Sequence, residues 1–350
     1  MRFILSKPAA KMSVGDLFYT LPSETARDSL YSELASLCIE KVTERKEIKK
    51  LELFATELKG ISNNTEIVVG ILIMYEIYLL SKELGFPVSP AGRDCGLCIL
   101  DVLGVSGIGE REYDSIALSS DIALVGLQKG CGFEMHIAEP VRKHIQRRLN
   151  QRFGKYESNN YEWRKICIPP STVLEEVGKL AKALNEPYNY VDCNTPELLK
   201  EVTEYFFESE KEKTPFELKE YTISEMARLF AFYRNKNSRS EDVGFYDVRN
   251  YVFFDDFYKE FKSASFDSER AYKLARNWES GEEKRTLMES FKRKNLPDEM
   301  IYCYDKLRFM WDAYDCTSIV YMKLLHLYYK SKEKQIGENV QRSRQFHKTT

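Results

Sequence analysis

Residues 67–80 read Ile-Val-Val-Gly-Ile-Leu-Ile-Met-Tyr-Glu-Ile-Tyr-Leu-Leu, with Glu66 at the border and Glu76 as the one charge inside. A helix of this composition is apolar all round and has no face to give to water, so it belongs at the centre of a core. A bilayer crossing needs roughly 20 apolar residues, so no membrane association is expected. Other amphipathic elements must then wrap around this segment. Leu30, Leu34, Leu37 and Val42 recur at near-helical spacing before it, followed by Leu51, Phe54 and Leu58, and Gly85 stands where the central helix would stop.

Of the 350 residues, 43% are hydrophobic and 30% charged, the balance of a folded chain large enough for two cores. The 52 basic residues nearly cancel the 54 acidic ones, so no global field draws the molecule to phosphate or to an anionic membrane. Contact with nucleic acid would need a local patch. The apolar run in the first ten residues is too short for a secretory signal, and a cytoplasmic location is the expectation. The eight cysteines are scattered through the chain and read as reduced thiols.

Between residues 86 and 132 the texture changes to Gly, Pro, Cys and Ser around short apolar runs such as Ile122-Ala123-Leu124-Val125, which suggests turns and short strands. Phe133-Glu134-Met135-His136-Ile137 reads as a strand, and Pro140 suits the first turn of the next helix. In that helix Val141, Ile145, Leu149 and Phe153 share one face, while Arg142, Lys143, Arg147, Arg148 and Arg152 take the others. A second strand, Lys165-Ile166-Cys167-Ile168, is stopped by Pro169-Pro170, and helices follow over 173–184 and 195–207. The expected fold class is helix-rich α+β. It comprises an α+β domain over 1–207, a charged linker at 208–213, a helical domain over 214–330, and a mobile polar tail over 331–350.

Several segments carry a further likeness in their order: Asp16-Leu17-Phe18-Tyr19-Thr20, the helix over 30–41, and the loop Ser89-Pro90-Ala91-Gly92-Arg93-Asp94-Cys95-Gly96. Then come the strand around Glu134 and His136, Phe153-Gly154 and the strand around Cys167. In the second half the matching stretches are Phe216-Glu217-Leu218, residues 266–273, Asn295-Leu296-Pro297 and residues 305–330. This order resembles the palm and fingers of the PolC-type bacterial DNA polymerase III α subunit, a C-family polymerase. The resemblance implies a palm-like mixed sheet with flanking helices and an all-α fingers-like domain. It also implies that the loop with Gly92, Arg93 and Gly96 corresponds to a nucleotide-phosphate cradle, here burdened by the negative charge of Asp94.

The family holds its catalytic aspartates on palm strands, and the matching positions here are Glu134, His136 and Cys167. Strand alternation puts Glu134 and His136 on one face. Two-metal phosphoryl transfer needs hard oxygen ligands for paired magnesium ions, and one oxygen, one nitrogen and one sulfur do not supply them. Magnesium is therefore not expected. The family's basic fingers turn reads Glu279-Ser280-Gly281-Glu282-Glu283 here, and its Lys/His segment reads Ala313-Tyr314-Asp315-Cys316-Thr317-Ser318. Carboxylates there would repel a triphosphate.

Softer chemistry remains open: Cys95 and Cys98, with His136, Cys167 and Cys131, are candidate zinc ligands, against the plainer reading of small core thiols. Arg142, Lys143, Arg147 and Arg148 are candidate DNA contacts, against a solvated face paired with local acids. The aromatic residues Tyr302, Tyr304, Phe309, Trp311, Tyr314, Tyr328 and Tyr329 are candidates for base stacking, against ordinary core packing. The expected function is a non-catalytic polymerase-like module that binds a protein partner or nucleic acid. The alternative is a residual or repurposed metal-dependent nucleotidyltransferase.

Overall fold

The computed structural model describes residues 1–5, 16–46, 48–105, 113–127, 132–186, 195–207, 222–234, 243–276, 280–308 and 310–346. Its first half runs β1 (Phe3–Leu5), β2 (Asp16–Pro22), α1 (Glu24–Arg45), α2 (Leu51–Ile61), α3 (Thr65–Leu84) and β3 (Ser89–Ala91). A 3₁₀ turn (Arg93–Gly96) leads into α4 (Cys98–Val102), α5 (Tyr113–Leu127), β4 (Glu134–His136), α6 (Glu139–Phe153) and β5 (Ser158–Cys167). The strands form one mixed sheet in the order β1-β2-β5-β4-β3, antiparallel except for the parallel β4–β5 pair. The fold is helix-rich α+β.

Helix α3 is the central apolar segment expected from the sequence. Every residue from Ile67 to Ile77 is buried. Asn64 caps its start by accepting the Ile67 amide, and Gly85 ends it in the left-handed region at φ 71°, where a glycine carries no steric penalty. The interrupting Glu76 is 6% exposed and sits between two arginines of α6, Arg148 at 3.1 Å and Arg152 at 3.0 Å. Arg148 also reaches Glu83 at 3.0 Å, and Arg152 reaches Glu33. Together with α1, these helices back the sheet on the side of Leu17, Tyr19 and Ile166, all buried.

The second half continues with α7 (Thr172–Ala183), α8 (Pro196–Phe207), α9 (Ile223–Arg234), α10 (Phe245–Val248), α11 (Phe254–Ser263) and α12 (Ser268–Ala275). It closes with α13 (Gly281–Arg293), α14 (Asp298–Lys306) and α15 (Ala313–Phe346). A second core forms here, with Phe254, Phe257, Phe261, Phe291 and Tyr304 at its heart. Helices α7 and α8 contribute to this core and lie against α15. The cores therefore divide near residue 170, earlier than the expected linker at 208–213, which lies outside the described residues.

Two expectations are corrected. Residues 113–127 are helical where turns and short strands were expected. Ile116, Ala123 and Leu127 of α5 face the first core while Ile122 and Val125 face the second. A helix buried on both sides presents a continuous apolar run, which hides its period. The stretch expected as a polar tail from residue 331 instead continues α15 to Phe346. Lys, Glu and Gln over 332–335 are good helix formers with no breaker among them, and Lys332 is fastened to Glu186 at 2.8 Å.

Candidate functional site

Residues directly opposite one another in neighbouring strands project from the same face of a sheet. Asp16 of β2 is opposite Cys167 of β5, and Cys167 is opposite Glu134 of β4. Two residues along β4, His136 is opposite Ser89 of β3. The three positions expected to form one set, Glu134, His136 and Cys167, thus share a face, with Asp16 as a fourth member that the sequence reading did not assign. The same pairing adds Phe18 opposite Lys165 and Thr20 opposite Trp163.

The acids of this face are already matched by bases. His136 Nε2 lies 3.2 Å from Glu134 Oε1, and this bond holds the Glu134 carboxyl below the usual carboxylate range. Lys165 Nζ lies 3.7 Å from Asp16 Oδ2. Burial pushes the Cys167 thiol up, and the Asp16 and Glu134 carboxylates add to the rise against the opposing effect of Lys165. A thiol held protonated is a poor nucleophile and a poor metal ligand.

The loop that follows β3 reaches this strand through its backbone. Cys95 Sγ donates to Ala91 O at 3.0 Å and to Glu134 O at 3.5 Å. Gly92 has φ 87°, and a Cβ there would stand 2.9 Å from Gly132 O, so only glycine fits. The side chains of Arg93 and Asp94 lie outside the described ones, and Gly96 closes the 3₁₀ turn against Ser119. Cys98 is buried at the start of α4, where its amide and that of Ile99 donate to Glu57 at 2.6 and 2.8 Å. Among the described residues no group of three or more His, Cys, Asp or Glu is placed to hold a metal ion. Cys131 lies outside the described residues.

Across the loop stands the start of α15. Asp315 Oδ1 accepts the Gly92 N–H at 2.6 Å, Ser318 donates to Pro90 O at 3.2 Å, and the Ser89 and Ser318 hydroxyls are 2.5 Å apart. An internal carboxylate therefore holds the loop amide that the resemblance would assign to a bound phosphate. Sequence reading saw Asp315 only as a lost basic residue. The Asp-x-x-Asp spacing of Asp312 and Asp315 marks a helix start, but nothing local points to Gly92, 223 residues away. Arg234 stacks on Trp311, its guanidinium carbon 3.7 Å from the ring centroid, at the end of α9.

Other expected contacts fall elsewhere. Of the four candidate DNA contacts, Arg142 is 5% exposed and Arg148 is held by Glu76 and Glu83, which leaves Lys143 and Arg147 facing solvent. Gly281 opens α13 at φ 59° with open space where a Cβ would be, and it is not in contact with the Gly92 loop. Glu282 and Glu283 occupy the first turn of α13, where acids complement the helix dipole, and they help line a groove of about 400 Å³ with Arg270, Lys273 and Leu287. Glu279 lies outside the described residues. Of the aromatic stripe, Tyr304, Tyr314 and Tyr329 are buried in the cores, while Tyr302 is 42% exposed.

No family model matches this chain, and no curated protein matches it in sequence.

Proposed function

We propose that the chain is a non-catalytic, polymerase-like module, with a palm-like sheet and a fingers-like helical half, that acts by binding a protein partner. One observation carries this reading. The positions that the resemblance assigns to the family's aspartates lie side by side, Glu134 opposite Cys167 with His136 on the same face, and they hold one carboxylate, one imidazole and one protonated thiol. That set lacks the oxygen ligands of a two-magnesium centre. The Asp315 side chain on the Gly92 amide supports the same conclusion, since it already occupies a backbone donor that a triphosphate would need. A protein partner is favoured over nucleic acid because the arginines of α6 are largely held by carboxylates.

Asp16 favours a second reading. Its carboxylate stands beside Cys167 on the face that carries Glu134 and offers a substitute second acid for a repurposed nucleotidyltransferase. Lys165 and His136 already pair with these two acids, which ranks this reading second. Calorimetric titration with a magnesium nucleoside triphosphate separates the two. No saturable binding at millimolar nucleotide is expected. Saturable binding that disappears in Glu134→Ala and in Asp16→Ala would establish the second reading in place of the first.

A further inference from the structure

In the helical half, α12 and α13 line an open groove of about 400 Å³. Asp267 caps α12 by accepting the Arg270 N–H at 2.8 Å, and the helix then brings Arg270, Lys273 and Leu274 onto one face at i, i+3 and i+4. Glu283, Thr286 and Leu287 repeat that spacing on α13, with Glu282 beside them. Leu274 is 3% exposed and Leu287 is half-buried against the second core, so the two leucines make an apolar floor between charged banks. Both banks are fixed from behind. Tyr304 donates to Leu274 O at 3.0 Å, and Lys284 Nζ donates to Asp305 O at 2.9 Å. The groove is therefore preformed. The connecting residues 277–279 lie outside the described ones and are no part of the site.

The charges of the groove are largely unspent. Arg270, Lys273 and Glu283 are exposed and form no ion pair with a described residue, while Glu282 is held by Arg285 at 2.5 Å. The contrast is with α6, where internal carboxylates hold Arg148 and Arg152. Cations stand on one bank and an acid on the other. A ligand of one sign loses on one bank what it gains on the other, which disfavours nucleic acid and anionic membranes alike. A ligand that carries both signs across an apolar strip gains on both. Because the polar residues of both banks are exposed, the groove is open along its length and suits a stretch of chain better than an enclosed small molecule.

We propose that this groove docks an amphipathic helix of a partner protein, with aliphatic side chains on the Leu274–Leu287 floor, acidic side chains toward Arg270 and Lys273, and basic side chains toward Glu283. Recognition of a helix in a groove takes its affinity from the apolar ridge and its orientation from the flanking charges. Turning the partner helix end for end would set its acids against Glu283 and its bases against Arg270 and Lys273. The banks therefore also select the direction in which the partner runs. This surface shares no residue with the face of Glu134, His136 and Cys167, so its role is independent of the polymerase-like reading.

A phage-displayed library of amphipathic helices, with leucine fixed on the apolar ridge and both flanks randomised, tests the docking against the immobilised full chain. Enriched helices are expected to carry Asp or Glu on one flank and Lys or Arg on the other. With the most enriched helix made as a synthetic peptide, calorimetry is expected to show about tenfold weaker binding to Arg270→Glu combined with Lys273→Glu, and likewise to Glu283→Lys. Lys143→Glu on α6 is expected to bind as the wild type does. The substituted residues are all exposed, and circular dichroism checks that each variant folds. Should a groove variant misfold, NMR of the wild-type chain still decides, because the peptide is expected to shift the amide signals of Lys273 and Thr286. Four results would overturn the docking: no enrichment over a library panned without the chain, enriched flanks of a single sign or of none, an affinity that survives both groove variants, or amide shifts confined to other helices. Nucleotide titration reads only the sheet face, so the two proposals fail separately.

Discussion

Glu57→Ala is expected to lower the free energy of unfolding by about 3–5 kcal/mol, the size seen when a buried charged group is removed from its partners. Glu57 is fully buried in α2, and its two oxygens accept the amides of Cys98 and Ile99 at the start of α4 and the hydroxyl of Ser120 in α5. Alanine leaves three buried donors without an acceptor, in a place that water reaches only by breaking the packing. Glu57→Gln keeps the shape, but its amide group turns an N–H toward a donor, so it should recover only part of the loss. Urea unfolding followed by circular dichroism gives both values. A loss near 1 kcal/mol for Glu57→Ala would mean that water replaces the carboxylate, contrary to the packing described.

Phe261→Ala should cost a similar amount, about 3–5 kcal/mol, through a different mechanism. Phe261 is fully buried, with ring centroids at 5.0 Å to Phe291, 5.7 Å to Phe266 and 6.0 Å to Tyr304. Tyr304 is fixed in turn by its hydroxyl on Leu274 O at 3.0 Å, so the surrounding rings have little freedom to close the cavity. Glu57 belongs to the first half and Phe261 to the second, which makes the pair a probe of coupling. Helix α5 lends one face to each core, and Gly178 of α7 lies so close to Phe86 that a Cβ would stand 2.2 Å from its ring. Both substitutions are therefore expected to shift one common unfolding transition rather than two separate ones.

Much of the sheet side was legible in the sequence. The apolar run of α3, the spacing of Val141, Ile145, Leu149 and Phe153 in α6, and the strand alternation at Glu134 and His136 all depend on neighbours within a few residues. Local period carries such information. Helix α5 was missed because burial on two sides erases its period, and the continuation of α15 was missed because polar residues with good helix propensity look like a solvated tail. Within the site, Asp16 and Asp315 were missed for another reason. Their roles rest on pairings with Cys167 and Gly92, which strand register and the joining of two cores create over long sequence distances. The acids of the α13 turn gained a plainer account as well, since a first helical turn suits Glu282 and Glu283 without reference to any nucleotide.

Primer extension tests most directly the proposed reading, in which the sheet face of Glu134, His136 and Cys167 corresponds to a polymerase palm that lacks the palm's chemistry. With a primed DNA template, all four deoxynucleoside triphosphates and either Mg²⁺ or Mn²⁺, the purified full chain is expected to add no nucleotide. Incorporation by the wild-type chain that is abolished in Glu134→Ala would contradict the account.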